Sequence, residues 1–308
     1  MSTAPHTTHN APILLLADPV MAAPIVAAVA AQAPGLQLLP YSRTLDDATL
    51  ARVQVVLGWR FPAGLAPRLP ALRWVCSMAA GVEKLLAPDL PASVLVSRVV
   101  DPDQALGMAQ YVAAMVLRQV RGLDTYRQQQ QARQWVRHPM AAARHRVCVL
   151  GWGAVGQACG QALQALGLPV QGWRRSSGPL HDALAQADIV VNTLPLTPAT
   201  QGLLDAQAWQ AMPRGGYFIN VARGGHVVEP DLIAAVQAGQ LAGAALDVQA
   251  TEPMPDDDPL WQVPGITITP HIAAQSSPST VASQFVAGLQ ALEAGQALPH
   301  PVDRALGY

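Results

Sequence analysis

Arg146-Val147-Cys148-Val149-Leu150-Gly151-Trp152-Gly153-Ala154-Val155-Gly156 decides the fold. The apolar run Arg146–Leu150 reads as a buried strand, and Val155–Leu166 reads as a helix. Between them Gly151, Gly153 and Gly156 fit G-x-G-x-x-G. The pattern is weak alone and informative when a strand precedes it and a helix follows. Gly151 allows the tight turn, Gly153 lets backbone approach a pyrophosphate, and Gly156 lets helix and sheet pack closely. N–H groups at the helix N-terminus then face the negative charge. Gly151, Trp152, Gly153, Ala154, Val155 and Gly156 are therefore candidate dinucleotide-binding residues. The bland alternative is a glycine-rich turn without a ligand.

Outward from this loop, strands and helices alternate. Strands are expected at Pro169–Trp173, Asp188–Asn192, Tyr217–Asn220, Gly243–Leu246 and Thr267–Thr269. Helices are expected at Leu180–Ala187, Asp205–Met212 and Asp231–Ala238, the last stopped by Gly239. Together with Arg146–Leu150 this makes a complete doubly wound dinucleotide-binding unit. Upstream, Ile13–Ala17, Leu36–Leu39, Val53–Leu57, Arg73–Cys76 and Val94–Val96 read as strands, with helical stretches at Val20–Ala33 and Leu45–Ala51. That alternation again means a parallel sheet with crossover helices. Asp101-Pro102 signals a helix start. Met108, Val112, Val116, Val120 and Leu123 form one stripe, and the helix is expected to run on toward Gln131.

The composition sets outer limits. The 308 residues suit two domains, and 51% hydrophobic residues can build large cores. With 13% charged residues and a net charge of −1 there is no basic stripe for nucleic acid. Lys84 is the one lysine among 19 basic residues. Cys76, Cys148 and Cys159 are too scattered for a disulfide framework, and no Cys/His spacing resembles a zinc site. His6 and His9 fall on a polar tail expected to be disordered, with no metal role. Ile13–Leu39 is interrupted by Asp18, Pro19, Pro24 and Pro34 and lacks a preceding positive region, so a strand and helix explain it better than a membrane or signal segment. A soluble, cytoplasmic protein is expected.

Cofactor choice hangs on the second strand. An NAD site usually carries Asp or Glu about 20 residues past the glycines. Here the strand ends in Trp173-Arg174-Arg175-Ser176, with Arg174 18 residues past Gly156 and no carboxylate near. Arginine attracts a 2′-phosphate that a carboxylate would repel. The expectation is NADP(H) over NAD(H); a solvated arginine pair at a strand end is the alternative.

Three motifs follow in order: Asn220-Val221-Ala222-Arg223-Gly224-Gly225, then Leu246-Asp247-Val248 with Glu252-Pro253, then Thr269-Pro270-His271-Ile272-Ala273-Ala274. Arg223, Glu252 and His271 each lie just beyond a strand's C-terminal end, the edge where open α/β sheets bind ligands. Taken singly they could be a structural ion pair, a turn residue and a buried histidine. In this order the chain resembles the D-isomer-specific 2-hydroxyacid dehydrogenase family over essentially its whole length. The similarity is greatest to the bacterial glyoxylate/hydroxypyruvate reductase A subgroup. It rests on Ala80-Gly81-Val82-Glu83-Lys84-Leu85-Leu86, Trp173–Ser176, His226-Val227-Val228-Glu229, Pro259-Leu260-Trp261-Gln262 and Val302–Tyr308.

The resemblance implies a catalytic set of Arg223, Glu252 and His271. Arg223 would bind the carboxylate and 2-oxo oxygen of the substrate, His271 would exchange a proton with that oxygen, and Glu252 would accept from the other ring nitrogen. It implies cofactor contacts at Trp173, Arg174, Arg175, Ser176, Leu194, Pro195, Val221, Ala222, Arg223, Asp247, His271 and Ala273, beside the glycine loop. It implies substrate contacts at Trp59, Ala80 and Gly81 beside Arg223 and His271; Trp59 could equally be packing, and Arg60 departs from the expected histidine. The implied fold is two α/β domains flanking a cleft. One is a smaller flavodoxin-like substrate domain of residues 1–101 and 277–308, the other an NADP-binding Rossmann domain of residues 102–276. The implied reaction is NADPH-dependent reduction of a small 2-oxo acid, in a homodimer without nucleic-acid or membrane partners. The alternatives are a bulkier or phosphorylated 2-oxo acid and a non-catalytic nucleotide sensor.

Overall fold

The computed structural model describes His9, residues 11–138 and residues 145–307. His6 and Tyr308 lie outside the described residues. The chain forms two compact units, one running to Asp103 and resuming at Ser276, the other Gln104–Gln275.

The first unit holds β1 (Ile13–Leu16), β2 (Leu38–Pro40), β3 (Val55–Gly58), β4 (Trp74–Ser77) and β5 (Leu95–Ser97), all parallel in the order β2-β1-β3-β4-β5. β1, β3 and β4 are buried along their whole length, which is why they read as unbroken apolar runs. Helix α1 (Pro19–Gln32) starts where Asp18 accepts the N–H groups of Val20 and Met21. It buries Ala22, Ile25 and Val29 at spacings of three and four. The short α2 (Asp47–Leu50) is capped by Asp46. The C-terminal helix, Pro278–Glu293, packs on this same sheet: Phe285 stacks on Trp74 with ring centroids 5.4 Å apart. Asp101, buried, accepts from Asp103 N at 2.9 Å and Ser277 N at 2.7 Å, so one carboxylate ties the segment by which the chain leaves this unit to the segment by which it returns. His9 does not trail: its Nδ1 lies 2.8 Å from Glu293 Oε1.

The second unit begins with α3, a helix of residues Pro102–Val120 that starts in the first unit, and α4 (Leu123–Gln131). The single helix expected here is broken. Gly122 takes the left-handed conformation at φ 60°, closes α3 and restarts the chain as α4. Leu123 consequently leaves the stripe and is exposed, whereas Val112 and Val116 are buried. A six-stranded parallel sheet follows: β6 (Val147–Leu150), β7 (Val170–Trp173), β8 (Ile189–Asn192), β9 (Gly216–Asn220), β10 (Leu241–Leu246) and β11 (Ile266–Ile268), in the order β11-β10-β9-β8-β6-β7. Crossovers include α5 (Ala154–Ala165), α6 (Leu180–Ala185), α7 (Ala206–Ala211) and α8 (Glu229–Gln237). The order reverses direction beside β6, so a crevice at the C-terminal strand ends opens there by topology alone.

All three cysteines are buried and reduced. Burial pushes the Cys76 and Cys159 thiols up to about 12 and Cys148 to about 11. They remain protonated at neutral pH, and the thiolate is the reactive form. A disulfide-exchange reagent is expected to label no cysteine in the native protein and all three after denaturation; rapid native labelling would contradict the packing. Among the described residues, no helix is long and apolar enough to cross a membrane, and no group of His, Cys, Asp or Glu is placed to hold a metal ion.

Candidate active site

The glycine loop has the shape its residues dictate. Gly151 sits at φ 91°, left-handed, against the Thr193 and Leu194 backbone. A Cβ on Gly156 would lie 1.9 Å from the Gly151 carbonyl oxygen, so the turn closes only with glycine there. Gly153 is different: a Cβ there would meet nothing within 4 Å, which leaves the space open in front of the backbone. Gly153 also caps α5 without a side-chain hydrogen bond, so no side chain competes for the first-turn N–H groups. Open space and uncapped donors suit a pyrophosphate.

Trp152 turns inward. A Cβ on Gly172 of β7 would lie 2.0 Å from the indole, and one on Gly160 of α5 would lie 2.3 Å from it. Two glycines thus make the slot for one side chain of the loop. The Trp152 carbonyl accepts Nε of Arg174 at 3.1 Å and its Nη2 as well. Ser177 Oγ accepts Arg174 N at 3.1 Å, and Arg175 and Ser176 follow in a short 3₁₀ turn. The Arg174 guanidinium is therefore held, exposed, next to the glycine loop, with N–H groups beyond those two bonds able to meet an anion.

The other motifs gather on the next strands. Asn192 closes β8 and donates to Asn220 Oδ1 at the end of β9, at 3.1 Å. Asn192 Oδ1 accepts Leu194 N, and Asn220 Oδ1 accepts Ala222 N, so two buried amides shape both loops. Val221 and Ala222 are buried, and Pro195 O accepts the Thr200 hydroxyl at 2.8 Å. Arg223 follows, its Nη1 2.6 Å from the Ala222 carbonyl. Beside it Gly224 packs on the backbone of Gln249: a Cβ there would lie 1.9 Å from Gln249 C. Gln249 N in turn donates to Glu252 Oε1 at 3.1 Å, and Glu252 Oε2 lies 2.9 Å from His271 Nδ1. Arg223, Glu252 and His271 thus hang on the ends of β9, β10 and β11, three adjacent strands.

His271 carries backbone strain. Its φ is 54°, a left-handed conformation that costs about 1–2 kcal/mol outside glycine. Asp247 holds it there. The buried Asp247 carboxylate accepts the Thr269 hydroxyl at 2.6 Å, Ile272 N at 2.9 Å and Ala273 N at 2.8 Å, while its carbonyl accepts His271 N at 2.8 Å. Tyr111 of α3 adds a 2.7 Å bond to Thr269 Oγ1, and burial raises its phenol above the usual range.

Residues 113–273 match the family model described as D-isomer specific 2-hydroxyacid dehydrogenase, NAD binding domain. The chain belongs to the D-isomer-specific 2-hydroxyacid dehydrogenase family. The dehydrogenase is 37% identical to glyoxylate/hydroxypyruvate reductase A of Serratia proteamaculans, over 82% of this chain and 87% of that one. Among solved structures it resembles a D-isomer-specific 2-hydroxyacid dehydrogenase of Xanthobacter autotrophicus in complex with NADPH and MES: TM-score 0.87, 36% identity, covering 97% of this chain and 100% of that one. It also resembles the NADPH-dependent glyoxylate/hydroxypyruvate reductase of Sinorhizobium meliloti in complex with NADP and sulfate, with TM-score 0.85, 30% identity, and coverage of 97% and 100%.

In the dehydrogenase's first unit, Trp59 follows β3 and packs on the apolar cluster around Trp74 and Phe285. Ala80 and Gly81 lie in the turn after β4, where Ser77 Oγ accepts Ala79 N and donates to the Gly81 carbonyl. Sequence reasoning missed the close approaches at Gly160, Gly172 and Gly224, the holding role of Asp247 in the His271 loop, and Gln249. Glycines outside any turn signal were the available clue for the first three; nothing local marks Gln249.

Proposed function

We propose that the dehydrogenase reduces small 2-oxo acids with NADPH, glyoxylate to glycolate and hydroxypyruvate to D-glycerate. The observation that carries this is the 2.9 Å Glu252–His271 pair, joined through Gln249 and Gly224 to the loop of Arg223. The names of its relatives support the substrate class, and the open Gly153 cradle and the anchored Arg174 favour a phosphorylated dinucleotide.

When bound, NADPH supplies the hydride. His271 Nδ1–H is fixed on Glu252, which leaves Nε2 to hold the proton and give it to the oxo oxygen as the hydride reaches carbon. Glu252 accepts from Nδ1–H and so fixes the ring's tautomer and orientation. Arg223 binds the substrate carboxylate and the oxygen on which negative charge grows. Ala80 and Gly81, with small side chains and backbone N–H groups, and Trp59 are the first-unit residues that the family resemblance assigns to the substrate. Asp247 has lone pairs left for a carboxamide after its three hydrogen bonds. The enzyme acts as a cytoplasmic homodimer through the cofactor unit: α4 buries no residue, and Trp135 just beyond it is 90% exposed.

Initial rates with NADPH and NADH crossed against glyoxylate, hydroxypyruvate, pyruvate and a bulky aromatic 2-oxo acid test the proposal. Fast oxidation of NADPH by the two small acids is expected. Turnover restricted to the bulky acid would overturn the substrate, and cofactor binding without any turnover would leave a nucleotide sensor. Arg174→Asp should raise the Michaelis constant for NADPH roughly 10–100-fold, the worth of one or two charge-assisted hydrogen bonds, with little effect on NADH. An unchanged preference would remove Arg174 from the 2′-phosphate site.

A further inference from the structure

His226 is fully buried, and both its ring nitrogens face carbonyl oxygens. Nδ1 lies 3.0 Å from the oxygen of Arg223, and Nε2 lies 3.2 Å from the oxygen of Pro195. A neutral ring donates to one of these; an imidazolium donates to both. The main chain repeats the link, since Leu204 N donates to the His226 carbonyl at 2.9 Å and Gly202 N to the Gly225 carbonyl at 2.9 Å. One side chain therefore spans from the loop after β8 to the loop after β9. The first carries Leu194 and Pro195, the second Arg223. Thr200 is a further donor to the Pro195 oxygen, at 2.8 Å. The Asn220 side chain is a further donor to the Arg223 oxygen, at 3.0 Å.

We propose that His226 is a positioning residue that couples the cofactor loop at Pro195 to the substrate arginine Arg223, so that cofactor occupancy sets the arginine for the 2-oxo acid. This rests on the functional reading above. His226 touches neither ligand in it. Its ring lies against two carbonyls whose residues do, hydrogen-bonded to one and packed on the other, and a shift of Pro195 on cofactor binding would be carried to Arg223 through one rigid, desolvated imidazole. Each carbonyl keeps a second donor within reach, Thr200 or Asn220, so the tie between the loops is the one contributed by the buried ring itself.

Binding linkage measures this without turnover. NADPH affinity is titrated by fluorescence with and without saturating oxamate, an inert 2-oxo acid analogue. Coupling is reciprocal, so the ratio of the two dissociation constants reports the tie in either direction. Allosteric couplings of this type are typically about 5–150-fold. The unmodified enzyme should fall in that range. His226→Phe keeps the ring volume and loses the ring's hydrogen bonding, and should bring the ratio close to one. His226→Gln keeps an amide donor and should retain an intermediate ratio, with KM for the 2-oxo acid rising more than kcat falls. An unmodified ratio in both variants overturns the proposal. So does an equal loss in both accompanied by an equal fall in Tm, which would make the ring a packing group only. Should His226→Phe fail to fold, Thr200→Val removes the other donor to Pro195 and must also lower the ratio; no change there overturns it. Absence of coupling in the unmodified enzyme overturns the inference by itself, while the turnover assay with small 2-oxo acids separately decides the activity.

Discussion

His271→Ala is expected to lower kcat about 10²–10⁴-fold with NADPH affinity little changed, since positioned general acid–base catalysis contributes that much. The imidazole is exposed and meets Glu252 at 2.9 Å, so its removal takes away the proton donor and leaves the glycine loop untouched. The fold should also survive. Asp247 holds the loop through the N–H groups of Ile272 and Ala273 and the Thr269 hydroxyl, and none of these belongs to the histidine side chain. Alanine inherits the left-handed φ of 54°, which the same carboxylate enforces. Single-turnover kinetics with glyoxylate, paired with a fluorescence titration of NADPH, separates the chemistry from binding. Normal turnover would remove His271 as the acid. Loss of NADPH binding in step with turnover would make it a cofactor ligand and no more. Glu252→Gln should fall in between: the ring stays and loses the carboxylate that orients it.

Gly224→Ala should damage stability and site together, although it adds a single methyl group. The new Cβ would fall 1.9 Å from Gln249 C and 2.1 Å from its oxygen, and both are backbone atoms that no rotamer change can move aside. Overpacking of this kind costs about 1–3 kcal/mol or more. In a domain of this size that corresponds to a fall in Tm of roughly 2–12 °C. The displaced Gln249 carries the N–H that holds Glu252, so kcat should fall beyond what the lost stability explains. Gly153→Ala is the contrast. Its Cβ meets nothing within 4 Å, so Tm should stay near the parent value while NADPH affinity drops, because the methyl occupies the space left for the pyrophosphate. Equal effects of the two substitutions on Tm would contradict the packing of the Arg223 loop on the Glu252 loop.

The parts of this protein written in consecutive residues are legible in the chain itself. Val147–Leu150 followed by Gly151, Gly153 and Gly156 specifies strand, turn and helix, because apolar runs, tight turns and close backbone approach each depend on a few neighbouring residues. The Arg174 signal and the motifs around Arg223, Glu252 and His271 are of the same kind: each lies just past a strand, and parallel strands all deliver their C-terminal ends to one edge. The break at Gly122 is less legible, since an isolated glycine in a helical pattern can be tolerated within the helix or can cap its end.

The tertiary structure decided what meets across the sheet. Gly224 and Gln249 are 25 residues apart in sequence and touch because β9 and β10 are neighbours. Trp152 needs Gly160 from a helix and Gly172 from the next strand, and His226 needs the carbonyl of Pro195, 31 residues upstream. Asp247 turns its carboxylate into the His271 loop because β10 and β11 are paired in register, Leu246 opposite Ile268. Sequence order thus determined which chemical groups this protein carries and at which edge they emerge. Their distances and their partners, and so which of them can act together, came from strand adjacency and close packing, which no local pattern encodes.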